Sequence, residues 1–368
     1  MNTTTQRNPL FNHNRMKLDI MPLNCSHGST ITTAPGTWHM TWPDTVDIIQ
    51  QADRARFEVL FFVARWKGYG GATNFNHRTF ETFTWAAAVS ALTTYSCVFS
   101  NCHVPLVHPV TAAKQCATID HISGGRFALN LVCGWYQNEF QMFGAPWREH
   151  DERYVYATEW LDFVRTIWQS EAEFDYHGTW FQSHGVWSEP KPLQQPYPPI
   201  MNDGGSPAGQ HFAATQCDMN FVILKERDFE GGKAQIDHLK GMARAIGCEV
   251  QSWINVYVVC RETEKEAQDY LQYYVREQGD YEAVNNLLEI FGMQSQTLDP
   301  AALDAFRFHF IAGHGGYPLV GTAEQIVDQM AKLVRIGIDG VLVSWVNYQS
   351  EVPQWVEEVM PLMVQAGL

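Results

Sequence analysis

Thr118–Trp135 reads TIDHISGGRFALNLVCGW, and the fold follows from how this stretch is parsed. A helix is expected to end at Gly124-Gly125, because glycine adopts the left-handed conformation that stops a helix. The chain then restarts at once as a strand over 127–133. Phe127, Leu129 and Leu131 fall on one face, and Ala128, Asn130 and Val132 on the other. A strand that is apolar on both faces except for one polar residue belongs in a parallel sheet covered by helices. A buried amide without a partner costs about 1–3 kcal/mol, so either the core or a ligand must satisfy Asn130.

The same alternation extends in both directions. Apolar strands are expected at 18–23, 57–62, 97–104, 127–133, 200–202, 220–224, 253–260 and 341–345, nearly all followed by helical text. Proline at Pro43 suits a first helical turn. Thr322-Ala-Glu-Gln325 forms a capping box that opens another helix, with Gly337 as its stop. The last helix is expected over 353–366. Eight strand–helix units fit a (β/α)8 TIM barrel with insertions. The expected layout is an N-terminal arm over 1–15, then a single barrel domain over 16–368. Its insertions fall at about 136–150, 170–198 (a β-hairpin over 173–195) and 262–320. Within the last, 289–320 reads as irregular, rich in Gly, His and Phe, and suited to a lid. A doubly wound open sheet is the structural alternative. It would normally carry G-x-G-x-x-G after the first strand, where this chain has Pro22-Leu23-Asn24.

The bulk properties narrow the function. The 368 residues are 45% hydrophobic with a formal net charge of −15, which argues against nucleic acid or an anionic membrane as partner. The eight cysteines include no C-x-x-C pair and read as reduced thiols of a cytoplasmic protein. No apolar run approaches the roughly 20 residues of a membrane span, and the N-terminus lacks the apolar core of a secretion signal.

In a barrel the chemistry sits at the C-terminal ends of the strands. After the second strand come Ala64-Arg65-Trp66-Lys67-Gly68-Tyr69, which read equally as a ligand-holding turn or a solvated loop. The third strand ends in Asn101-Cys102-His103. His103 there is either a group that polarises a carbonyl or a hydrogen-bonded wall residue. The fourth supplies Asn130, then Cys133, Gly134 and Glu139, with Cys133 read as a packing residue. Arg153 and Tyr154 open a long helix near the mouth. The fifth strand ends in Asp203-Gly204-Gly205-Ser206-Pro207, where two glycines, a capping serine and a helix N-terminus favour a phosphate. Arg307, His309 and His314 lie in the irregular segment. No metal-ligand set is evident at the strand ends.

Ala117–Trp135, HDERY at 150–154, Gln194–Gly209 (QQPYPPIMNDGGSPAG) and LVGTAEQIVDQM at 319–330 together resemble the bacterial luciferase-like flavin monooxygenases, over about residues 16–365. The resemblance implies a (β/α)8 barrel using reduced FMN and O2, with an NAD(P)H-dependent flavin reductase as partner and a homo-oligomeric state, dimer or tetramer. It implies flavin contacts at Ala64, Arg65, Asn130, Glu139, Arg153, Tyr154 and Ser206, beside the Gly204-Gly205 turn. Asn130, Arg65 and His103 are the candidate catalytic side chains, with Lys67 and nearby aromatics helping to hold substrate. The implied reaction oxygenates or cleaves a small N-heterocycle or amide, pyrimidine-like. Oxygenation of an organosulfur compound (an alkanesulfonate or sulfone) and deazaflavin-dependent hydride transfer are the alternatives. A flavin-storing protein without catalysis is the non-enzymatic one.

Overall fold

Strands form where the alternation of apolar residues places them. The computed structural model describes residues 8–224, 228–292 and 299–368. Its strands are β1 (Lys17–Ile20), β2 (Val59–Leu60), β3 (Cys97–His103), β4 (Phe127–Val132), β5 (Phe174–His177), β6 (Gln182–Val186), β7 (Ile200–Asn202), β8 (Met219–Val222), β9 (Gln251–Cys260), β10 (Tyr317–Gly321) and β11 (Gly340–Ser344). Its helices are α1 (Trp42–Arg54), α2 (Thr82–Leu92), α3 (Pro109–Ser123), α4 (Gln137–Met142), α5 (His150–Gln169), α6 (Pro207–Gln216), α7 (Phe229–Ala245), α8 (Glu264–Gln272), α9 (Tyr281–Ile290), α10 (Pro300–Gly313), α11 (Ala323–Ile336), α12 (Tyr348–Gln354) and α13 (Met360–Ala366).

Parallel pairing runs β1–β2–β3–β4–β7–β8–β9–β11 and returns from β11 to β1, closing an eight-stranded barrel. This is the expected (β/α)8 fold. Two apolar layers follow from the period of two. Outward residues such as Leu129, Leu131, Ile254 and Val343 pack beneath the helices. Inward residues such as Phe61, Phe99, Ala128, Met201 and Trp253 fill the barrel. Gly124 ends α3 at φ 68°, and Thr322 and Gln325 make both bonds of the capping box at α11. The hairpin β5–β6 lies where 173–195 predicted one. Among the described residues, no helix is long and apolar enough to cross a membrane.

Four expectations change. The second strand shrinks to two residues because side chains take over the ladder: Phe61 N–H donates to Asp19 Oδ1 at 2.8 Å and Val63 N–H to Asn24 Oδ1 at 3.0 Å. The stretch 289–320, read as irregular, contains α10, capped by Asp299, and the parallel strand β10. β10 pairs with the upper half of β9, Tyr317 with Val256 through Gly321 with Cys260, beyond the point where β8 leaves β9 at Ile254. Residues 293–298, part of the expected lid, lie outside the described residues. The last helix begins at Tyr348, capped by Asn347, and runs through Pro353 and a π-helical turn at Trp355–Val359. Of the expected arm, residues 1–7 lie outside the described residues, while Pro9–Phe11 form a 3-10 turn. That turn is held because Leu10, fully buried, plugs the barrel floor beside Trp253.

Candidate active site

The mouth of the barrel is built first from strand register. Asn101 on β3 pairs with Asn130 on β4, and His103 pairs with Val132. Alternation then turns Asn101, His103 and Asn130 inward together. Asn130 is 1% exposed and Asn101 7%. Among the described residues, the buried Oδ1 atoms of both have no hydrogen-bond partner. A protein core does not leave two adjacent amides unsatisfied without cause, so this pair fits a polar ligand entering from the mouth.

Arg65 and Glu139 form the second part. Glu139 sits on the short helix α4 just past β4, and its Oε1 lies 3.1 Å from Arg65 Nη1. The same Oε1 accepts the backbone N–H groups of Trp66 at 2.7 Å and Lys67 at 3.3 Å, which pins the loop after β2. The Arg65 guanidinium also stands 4.7 Å from the Trp135 ring centre and 5.6 Å from that of Tyr136. Its Nε is buried and has no partner among the described residues. His103 Nδ1 is 3.7 Å from Glu139 Oε2. Desolvation, reinforced by the Arg65 charge, holds the His103 imidazole down at about 3, so it is neutral at pH 7. Ala64, Arg65, Thr82, Asn101, His103 and Phe143 line an open recess of about 540 Å3 over β2 and β3. Lys67, on the same loop as Arg65, is exposed.

The third part is the glycine–serine corner after β7. Ser206 caps α6, its Oγ accepting the Gly209 N–H at 3.1 Å. Gly204 packs against Gly209 so closely that a Cβ on Gly204 would come within 2.5 Å of the Gly209 Cα. A Cβ on Gly205 would meet nothing within 4 Å, leaving an open approach to the helix N-terminus. Tyr154, on the first turn of α5, stands over this corner, and a Cβ on Gly209 would lie 2.7 Å from its hydroxyl. Desolvation, then nearby Cys133, push the Tyr154 hydroxyl up to about 12, so it is a neutral donor. Arg153 is tied to β4's end, its Nη1 donating to Gly134 O at 2.8 Å, and covers the Trp147 ring at 4.0 Å. Cys133 is buried with its thiol pushed up, first by desolvation, as a packing residue should be.

Adjacency of β4 and β7 puts these parts on one rim: Asn130 pairs with Met201 and Leu131 with Asn202. The recess over β2 and β3 does not itself reach Gly205 or Ser206. Sequence reading passed over three mouth residues. Asn101 shares the His103 face by simple alternation, and that was the available signal. Asp203 follows Met201 on the inward face. It is open to solvent yet surrounded by protein, and desolvation raises its carboxyl to about 6. Asn255 lines a second recess of about 270 Å3 with His314, which the α10–β10 turn brings to the mouth. Desolvation, then the Arg65 charge, lower the His314 imidazole to about 4. His309 points elsewhere, to the Tyr257 hydroxyl at 2.9 Å, and Arg307 bonds Asn285.

These residues fit a flavin mononucleotide. Two orphaned amides would face its polar ring edge, and the unobstructed Gly205, the Ser206 cap and the Tyr154 hydroxyl would face its phosphate.

Comparison with known proteins agrees in kind. The family model described as luciferase-like monooxygenase matches residues 16–340. The FMNH2-dependent dimethylsulfone monooxygenase of Pseudomonas putida is 33% identical over 326 residues, covering 86% of each chain. Pyrimidine monooxygenase RutA of Acinetobacter baylyi is 29% identical over 325 residues, again covering 86% of each. A solved structure of riboflavin lyase (RcaE), with modified FMN and riboflavin, shares the fold at a TM-score of 0.85 and 20% identity, covering 96% of this chain and 92% of that one.

Proposed function

This chain belongs to the luciferase-like monooxygenase family, and from there we propose that it is a two-component oxygenase that takes reduced FMN from a separate NAD(P)H-dependent flavin reductase and uses O2 on a small uncharged substrate. When bound, reduced FMN supplies the electrons that activate O2. The protein's part is to hold and enclose it. In this reading Gly204, Gly205, Ser206, Tyr154 and Arg153 receive the phosphate end, and Asn130, Asn101 and Ala64 face the ring. The observation that carries the reading is the Asn101–Asn130 pair, adjacent in register and unsatisfied inside the mouth.

Arg65 and His103 act on the substrate side. Glu139 balances the Arg65 charge, which favours a neutral group over an anion at that position. Among the described residues the buried Arg65 Nε is a donor without a partner, and the buried His103 Nδ1 lacks one as well. That combination matches the C=O and N–H of an amide or N-heterocycle, the substrate class we favour. A neutral His103 can donate or accept at a substrate carbonyl without adding charge. Trp135 and Tyr136, packed against the Arg65 guanidinium, would limit water at the reacting centre.

A sulfone is the second reading, favoured by the higher identity to the dimethylsulfone enzyme than to RutA. A sulfone offers acceptor oxygens to Arg65 but no N–H to His103. The test is anaerobic loading with reduced FMN, admission of oxygen, and product analysis with uracil and with dimethylsulfone in parallel. Oxygen-dependent product from either supports the oxygenase reading, and the substrate that yields it selects between the two. No product from a panel spanning both classes, with turnover only under anoxia with a deazaflavin, overturns it.

A further inference from the structure

The β5–β6 hairpin lies outside the barrel, against α5, and carries a cluster that the mouth does not use. Tyr176 pairs with Ser183 and His177 with Gln182. Tyr176 faces inward, stacking on Phe163 of α5 with ring centres 4.0 Å apart. Its neighbours Asp175 and His177 therefore point out to solvent, and so does His184, next to the inward-facing Ser183. One ligating atom from each of Asp175, His177 and His184 lies within 4.8 Å of the other two, and all three residues are exposed. We propose that Asp175, His177 and His184 bind one divalent transition-metal ion, of the zinc class, on the outer face of this hairpin.

The chemistry selects the ion. Two imidazoles and one carboxylate make a borderline-soft donor set, suited to zinc, nickel, cobalt or copper rather than magnesium or calcium. Zinc binds such ligands at about 2.0–2.2 Å. Donor atoms sharing one tetrahedral ion thus sit about 3.4 Å apart, by the same bond lengths. Asp175 Oδ2 and His184 Nδ1 already stand 3.2 Å apart. His177 completes the set, its ring centre 5.6 Å from that of His184 and a ligating ring atom within 4.8 Å of the other two. Asp175 Oδ1 accepts the Gly185 N–H at 2.9 Å, which aims Oδ2 at the site.

The backbone beneath is fixed independently of the three ligands. Glu159 of α5 accepts the N–H groups of Thr179, Trp180 and Phe181 at the hairpin tip, at 2.9, 2.8 and 3.0 Å. Three protein ligands leave at least one coordination position for water. The ligands come from facing strands, which is why the spacing Asp-x-His-x6-His gave no signal in the sequence.

The experiment titrates untagged, chelator-stripped full-length protein with Zn2+ by calorimetry, beside the variants H177Q, H184Q and D175N. One ion per chain is expected, each single variant weakening binding by about tenfold or more and H177Q/H184Q abolishing it, with flavin binding unchanged. Histidine ring resonances supply a readout that does not depend on any variant: Zn2+ should shift those of His177 and His184. Equal titration of wild type and H177Q/H184Q, no binding at an equivalent of ion, or shifts confined to other histidines would each overturn the proposal.

Discussion

Arg65 Nη1 lies 3.1 Å from Glu139 Oε1, with side chains 6% and 1% exposed, so a buried arginine in the loop after β2 is neutralised by a carboxylate 74 positions along the chain. Removing one member leaves the other charged and buried. Glu139→Ala should cost about 3–5 kcal/mol in urea unfolding, the range for breaking a buried pair. Glu139 also pins the Trp66 and Lys67 backbone, so the loop after β2 should exchange its amide hydrogens faster. The double variant R65M/E139L should lose less than E139A alone. Equal losses would mean that the charge pairing contributes nothing beyond packing.

Gly204 and Gly205 separate structure from binding. A side chain at Gly204 meets Gly209 backbone, whereas one at Gly205 meets open space. G204A should lower the thermal midpoint by several degrees, and G205A should leave it unchanged. If the phosphate end of the flavin approaches there, G205A should nonetheless weaken FMN binding by about tenfold, the value of roughly one lost charge-assisted contact. Unchanged affinity in G205A would move the phosphate away from this corner.

The pH behaviour of the mouth has two opposed parts. Asp203 has its folded carboxyl raised to about 6 from the ordinary 3.8. A raised carboxyl favours the fold at low pH, and that contribution is lost as pH rises through 6. D203N should therefore have a higher thermal midpoint than wild type at pH 8, and the same midpoint at pH 4. His103 runs the other way. Its imidazole, held at about 3 against an ordinary 6.5, contributes stability fully above pH 6.5, lost progressively as pH falls toward 3. Its ring resonances should stay at the neutral position from pH 8 down to pH 5.

Asn130 makes no hydrogen bond through its buried Oδ1 among the described residues. Asn130→Leu should therefore leave the free protein as stable as wild type or more so, by up to about 1–3 kcal/mol for an unsatisfied buried group removed. The same change should weaken reduced-FMN binding and slow oxygen-dependent turnover. A destabilised N130L with intact flavin affinity would assign Asn130 to the core instead.

Local chemistry made the barrel readable. The alternation over Phe127–Val132 carries both the inward and the outward layer, and the Gly124 stop and the Thr322–Gln325 box mark helix ends through contacts within a few residues. β10 was hidden because it is five residues long, contains Pro318 and Gly321, and pairs only with the upper half of β9. The Gly204–Ser206 corner was legible because capping is local. The Arg65–Glu139 pair as a contact was not, since no periodicity links positions 65 and 139. Asn101 could have been placed by alternation with His103, but a polar residue near a strand end looks the same in sequence whether it faces a ligand or water.

A crystal structure of the protein soaked with FMN tests the account most directly. It should place the phosphate against Gly205, Ser206 and the Tyr154 hydroxyl, with the isoalloxazine edge within hydrogen-bonding distance of Asn130. A flavin seated in the recess lined by Asn255 and His314, or a phosphate away from the Ser206 corner, would contradict it.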